Sequence, residues 1–211
     1  MEETRVEPVR NVAIVSNVGA GKTSLSEALL YTGGAIPSLG SVTQGTTVSD
    51  FEPEELHHHC SVSTSLLQFT WNRTTVTVLD PPGALSLLGE PLAALRAVDA
   101  VLIVLAPQGG VRTELARLWS RIKELDLPCL GFANGLDREG ASMQDILDVC
   151  RKQLDCVPVP LALPVDPGPS MEAVIDVLNE TLVRSGPSSA KADQGPVPPM
   201  YESALKDARK Q

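Results

Sequence analysis

The run SNVGAGKTS at 16–24 constrains this chain more than any other feature. It follows an apolar stretch, NVAIVS at 11–16, that fits a buried strand, and it opens a helical stretch at 22–31. Strand, small-residue loop and helix form the context in which G-x-x-x-x-G-K-[ST] holds phosphate; here Ser16 replaces the first glycine. Small residues let consecutive backbone N–H groups curl around phosphate oxygens, and Gly19, Ala20 and Gly21 supply them. Lys22 would then bridge the terminal phosphates, Thr23 would offer a hydroxyl to Mg²⁺, and the helix N-terminus would favour the negative charge. The candidate phosphate-binding set is Ser16, Asn17, Val18, Gly19, Ala20, Gly21, Lys22, Thr23 and Ser24. A glycine-rich turn that merely starts a helix is the alternative.

The remaining pattern alternates strand and helix. Residues 61–70 and 73–80 suit an antiparallel hairpin, and 100–106 and 128–134 are apolar strands of the kind buried in a parallel sheet. Between them, 85–98 suits a short helix interrupted near Gly89 and Pro91, and Val111, Leu115, Leu118, Trp119, Ile122 and Leu125 recur at helical spacing. Ser142 can cap a further helix over 143–154. This order predicts an α/β fold with a parallel or mixed sheet and helices on both faces. Residues 33–59 lack periodicity and are expected to form a long surface loop, with Asp50, Glu52, Glu54 and Glu55 in solvent. His57, His58 and His59 are adjacent in sequence, and neighbours rarely point at one ion, so that loop's surface is preferred to a metal site. Residues 170–183 can be read as a helix or a strand; the shared face of Met171, Val174, Ile175, Leu178 and Leu182, with Ser170 as cap, favours the helix. Residues 185–200 have the composition of a flexible linker, and the tail 201–211 carries little apolar surface to dock.

The chain's 211 residues suffice for one ordinary domain with an appendage, or for two small ones. The expected division is a nucleotide-binding domain over 1–165, its end or an inserted subdomain over 166–184, then linker and tail. The net charge of −9 disfavours broad electrostatic binding to a polyanion, which excludes DNA as the expected partner but leaves a local RNA contact open. Four cysteines without C-x-x-C spacing, no apolar leader and no span-length apolar run suggest a reduced cytoplasmic protein without a membrane partner.

Two more elements complete a set. LDPPG at 79–83 ends a strand: Asp80 can hold a water on Mg²⁺ and Gly83 can donate its N–H to a third phosphate, although D-x-x-G alone is a weak pattern. NGLD at 134–137 ends another strand and stands where GTP-binding domains have N-K-x-D; an Asx turn is the alternative. In that place Asn134 would tie the base to the phosphate loop and Asp137 would accept from guanine N1–H and N2–H₂. Together with RNVAIVSNVGAGKTSLSEALLYTGGAIPSLGSV at 10–42, SDFEPEE at 49–55, LDREGAS at 136–142 and VPVPLALPV at 157–165, the chain resembles the GTP-binding domain of elongation factor G, in a divergent paralogue branch. The likeness covers about residues 10–180 and favours a strand near 174–177, against the helix that the local pattern favours.

The resemblance implies a P-loop NTPase three-layer sandwich with a mainly parallel six-stranded sheet, GTP or GDP with Mg²⁺ as cofactors, and the ribosome as partner. It places Ser61 at the switch threonine that closes on Mg²⁺, so the implied metal set is Thr23, Ser61 and Asp80. Several departures stand out: Gly19 replaces an aspartate, His58, His59 and Cys60 replace Arg-Gly-Ile, and Gly135 replaces the base-covering lysine. Ala84 occupies the position of the histidine that orients the attacking water. The expected function is Mg²⁺-dependent GTP binding with weak or absent hydrolysis and no assigned catalytic residue. The rivals are a degenerate nucleotide-binding interaction module and an ATP-binding phosphate loop, against which Asp137 argues.

Overall fold

The computed structural model describes residues 7–58, 60–184 and 192–210. The chain divides into two compact units: one takes the residues up to Leu105 with Val111–Phe132, the other Ala106–Gly110 and the residues from Ala133 onward. The first is built on β1 (Val9–Ser16), β2 (Ser65–Trp71), β3 (Thr74–Asp80), β4 (Ala100–Leu105) and β5 (Cys129–Ala133), in the order β2-β3-β1-β4-β5. Strand β1 runs parallel to both β3 and β4, and β2 returns antiparallel to β3. The hairpin turn places Asn72 and Arg73 at φ 47° and 61°, and two positive φ values in succession match the right-handed twist of the flanking strands. Ile14 and Val15 of β1 are fully buried, a contribution of about 1.5–3 kcal/mol each.

Helix α1 (Lys22–Thr32) lies against β1, β2 and β3. A short helix α2 (Pro53–His58) follows in the long connection to β2. The stretch 85–98 forms a 3-10 turn, Leu85–Leu87, and then α3 (Gly89–Ala94). Helix α4 (Thr113–Glu124) buries Leu115, Leu118 and Ile122, the stripe its periodicity predicts, and packs with α3 against β1. This is the mixed α/β fold expected, with one correction. The main sheet has five strands rather than six, because β6 (Ala162–Val165) is paired antiparallel in a separate sheet.

That sheet belongs to the second unit and runs β6-β7-β8-β9, antiparallel throughout, with β7 (Ala173–Asp176), β8 (Thr181–Arg184) and β9 (Asp193–Pro196). The helix that the local pattern favours over 170–183 is therefore corrected to a hairpin. Its turn is set locally: the Asp176 carboxylate accepts from the N–H groups of Leu178 and Asn179 at 2.9 and 3.0 Å, and Glu180 takes φ 55°. The apolar residues obey period two. Ala173, Ile175 and Val177 are buried, whereas Leu178 of the expected helical face is exposed. Residues 185–191 of the expected linker lie outside the described residues, but 193–196 form β9 on β8. Helix α5 (Met143–Gln153) begins as expected, with the Ser142 hydroxyl accepting from the Gln144 N–H at 3.1 Å. The tail is docked, contrary to its expectation: α6 (Glu202–Ala208) buries Leu205 and Ala208 in one cluster with Ile175 and Leu182. No helix among the described residues is long and apolar enough to cross a membrane.

Candidate functional site

The loop from Ser16 to Gly21 leaves β1 and turns tightly, the Ala20 N–H donating to the Asn17 carbonyl at 3.2 Å. Gly19 and Gly21 take φ 78° and 95°, a region closed to most side chains, and Gly21 is the N-cap of α1. Gly21 brings no capping side chain and no acid stands in the first turn, so the positive dipole end of the helix favours an anion. Asn17 is held by the Arg112 N–H, which donates to its Oδ1 at 3.1 Å, and Ser16 is buried with its hydroxyl donating to the Asn17 carbonyl at 2.8 Å. Val18 and Ser24 are exposed and Thr23 is half-buried at the start of α1.

Lys22 is buried, and its Nζ stands 2.5 Å from Asp80 Oδ1 at the end of β3. Ser26, one helical turn on, donates to the other Asp80 oxygen at 2.9 Å. The two sequence elements are thus brought together: the loop lysine and the strand-end aspartate share one charge-assisted contact. Gly83 follows through two buried prolines and faces the loop, where an added Cβ would lie 3.6 Å from Val18 Cγ2. Ala84 begins the 3-10 turn and presents only a methyl group.

The acidic run expected in solvent is only partly there. Asp50 and Glu55 are buried, which corrects the reading of the acidic run; Glu52 and Glu54 are exposed as expected. The Ser61 hydroxyl donates to Asp50 Oδ1 at 2.7 Å. Burial raises the Asp50 carboxyl above its ordinary value, and the Asp80 and Glu55 carboxylates push the same way, while the Ser61 hydroxyl and the Lys22 ammonium oppose them. Asp50 and Ser61 therefore stand within electrostatic reach of the Lys22–Asp80 pair. Glu27 of α1 is fully buried and accepts from the N–H groups of Gly40 and Val48 at 3.2 and 2.5 Å.

Ser26, Glu27, Asp50 and Glu55 are absent from the site that the sequence predicts, yet two of them carry a signal. Glu27 shares the buried phase of α1 with Leu30, and an acid in that phase needs donors. Glu55 stands three residues after Glu52, with Pro53 between at the first helical position, the spacing of a capping box. Ser26 and Asp50 have no comparable local pattern.

Asn134 and Asp137 lie in the second unit, just beyond β5. Asn134 is half-buried and Asp137 exposed; between them Gly135 takes φ 80° and its carbonyl accepts from the Arg138 N–H at 3.3 Å. Leu136 anchors the turn, buried with its carbonyl accepting from the Gly168 N–H at 2.8 Å. His57 is exposed on α2, and His59 lies outside the described residues.

The family model of the elongation factor Tu GTP binding domain matches residues 7–209. The chain belongs to this family. Members similar to it include a mitochondrial ribosome-releasing factor 2 of Anopheles gambiae, 33% identical over 83% of this chain and 24% of that protein. An elongation factor G of Salinibacter ruber is 29% identical over 84% of this chain and 25% of that protein. A crystal structure from Thermus thermophilus superposes with a TM-score of 0.88 at 32% identity, covering 97% of this chain and 30% of that one. The chain spans about a quarter of the length of the curated relatives it matches. The elongation factor Tu family match runs through both units, so it includes the phosphate loop, Asp80 and the Asn134–Asp137 turn alike.

Proposed function

We propose that this chain is a Mg²⁺-dependent guanine-nucleotide-binding domain with hydrolysis close to background, acting in a ribosome-linked setting. The observation that carries it is the phosphate loop: a helix N-terminus behind two left-handed glycines, with Lys22 held beside Asp80. Those residues fit phosphate and a divalent ion, being backbone donors, one ammonium, and hard oxygen donors at Thr23, Asp80 and Ser61. Ser16, Asn17, Val18, Gly19, Ala20, Gly21 and Ser24 would complete the phosphate cradle, and Gly83 would meet the third phosphate. Asn134 and Asp137 would read the base. When bound, Mg²⁺ neutralises phosphate charge; the chain's own part is to bind and orient. Lys22 moves from Asp80 to phosphate, an exchange of one anionic partner for another.

Ala84 supports the slow-hydrolysis element, since a methyl group can neither accept a proton nor orient a water. Phosphoryl transfer in this fold rests on positioning and electrostatics, so losing that group lowers rate and spares binding. The ribosome enters through relatives named as ribosome-releasing factor and elongation factor G. A degenerate nucleotide-binding module without ribosomal partner is the second reading, favoured by Ala84 and Gly135 together. Filter binding with labelled GTP, GDP and ATP, with and without chelator, tests the first element. The expected result is retention of both guanine nucleotides, lost on chelation for GTP; equal retention of ATP overturns it. Turnover measured with and without ribosomes tests the second. Ala84→His is expected to raise it by about 10²–10⁴, the usual contribution of such a group. Fast turnover by the unmodified chain would show that another residue does the work.

A further inference from the structure

We propose that Glu55 is a positioning residue that sets Ser61 for the nucleotide's third phosphate and its metal ion. The inference rests on the role given to Ser61 above and deepens it. Glu55 is 1% exposed, one of two first-turn acids of a helix only six residues long, the other being exposed Glu54. Burying a carboxylate costs several kcal/mol unless hydrogen bonds replace its water, and here backbone N–H groups among the described residues supply them. Oε2 accepts from the N–H groups of Phe51 and Glu52, both at 3.1 Å. Oε1 accepts from the N–H of Val62 at 2.9 Å, with that of Ser63 at 3.5 Å.

The choice of donors is what gives this arrangement a function. Phe51 directly follows Asp50 and Val62 directly follows Ser61, so one carboxylate grips the backbone beside both partners of the Ser61–Asp50 hydrogen bond. Capping alone would need only the Phe51 and Glu52 side. The second oxygen instead reaches Val62, seven positions further along the chain and directly after Ser61. With both ends fixed, the Ser61 proton goes to Asp50 and the oxygen's lone pairs are left for a cation. Glutamine in place of Glu55 is nearly isosteric, but its amide N–H₂ would face two N–H donors, so one side of the clamp must open.

The test compares affinities for a hydrolysis-resistant GTP analogue, GTPγS, and for GDP, both with Mg²⁺, using the 211-residue chain. Ser61 is placed to close on the metal ion only when the third phosphate is present, so Glu55→Gln is expected to weaken GTPγS about tenfold, the scale of one charged hydrogen bond, and to leave GDP unchanged. Glu55→Asp keeps the charge on a shorter stem and should recover part of the loss. In a Ser61→Ala background, Glu55→Gln should no longer change the GTPγS-to-GDP ratio. Equal weakening of both nucleotides, or no weakening, overturns the proposal and leaves Glu55 a purely structural group. Should Glu55→Gln fail to fold, amide exchange in the unmodified chain decides. The Phe51, Glu52 and Val62 amides are expected to be protected together with GTPγS, and a freely exchanging Val62 amide there overturns the clamp. If the unmodified chain binds neither nucleotide, the proposed function fails and this inference falls with it; binding with an unaffected ratio sinks the inference alone.

Discussion

Lys22 has two roles to reconcile, one proposed from the sequence motif and one seen in the structure. As the proposed phosphate ligand it is a point charge, and Lys22→Ala should abolish nucleotide binding. As the partner of buried Asp80 it also neutralises a carboxylate shielded from solvent. Removing one member of a buried pair costs about 3–5 kcal/mol, so Lys22→Ala should destabilise the nucleotide-free chain by that order. Adding Asp80→Asn should restore part of it, as read by urea unfolding; an unchanged midpoint for Lys22→Ala would contradict the pairing. Asp50 gives a prediction with a pH sign. Its folded-state value lies above the ordinary 3.8, so the folded chain binds this proton more tightly than the unfolded one. Stability from this group is therefore highest at low pH and falls as pH rises from 3.8 through the raised value. Asp50→Asn keeps an acceptor for Ser61 and removes that penalty. It should melt higher than the unmodified chain at pH 7, with the gain vanishing below the window; a lower melting temperature at pH 7 would count against the raised value.

At the scale of elements, local chemistry in the sequence predicts structure wherever one interaction dominates. The phosphate loop, the β2–β3 hairpin, the Ser142 cap and the stripe of α4 all follow from spacing within a dozen residues. The β7–β8 hairpin does not, because VIDVLNETLV satisfies a helical stripe and a period-two pattern at once. What decides it is the Asp176 carboxylate on two N–H groups, together with pairing to β6 and β9, and the latter depends on residues distant in sequence. Within the long surface connection, the burial of Asp50 and Glu55 departs from expectation for the same reason. The connection's order comes from Glu27, Asp50 and Glu55, whose partners lie up to 21 positions away. Gly40 is the sensitive point of that packing: a Cβ would stand 2.5 Å from the Thr46 carbonyl and 2.6 Å from a Glu27 oxygen. Gly40→Ala should cost about 1–3 kcal/mol and should speed proteolytic cleavage between 40 and 63. Cleavage at the unmodified rate would mean that the segment is not fastened to α1.

For the whole molecule, the phosphate loop belongs to one compact unit and the proposed base-reading turn to the other, and the family match runs through both. Lys22 with Asp80 and the helix N-terminus argue for phosphate; guanine is argued from the GTP-binding family match and from NGLD, where Asp137 is the exposed side chain that would discriminate the base. That makes Asp137 the place to test the central claim. Equilibrium titrations of the 211-residue chain and of Asp137→Asn with GTP, ATP and xanthosine triphosphate, all with Mg²⁺, give the answer directly. A carboxylate accepts from guanine N1–H and N2–H₂, whereas an amide can donate to the 2-oxo group of xanthine, so the preference should exchange. The unmodified chain is predicted to bind GTP well ahead of the other two, and the variant to bind xanthosine triphosphate ahead of GTP. A variant that still prefers GTP, or an unmodified chain that takes ATP equally well, would contradict the guanine assignment.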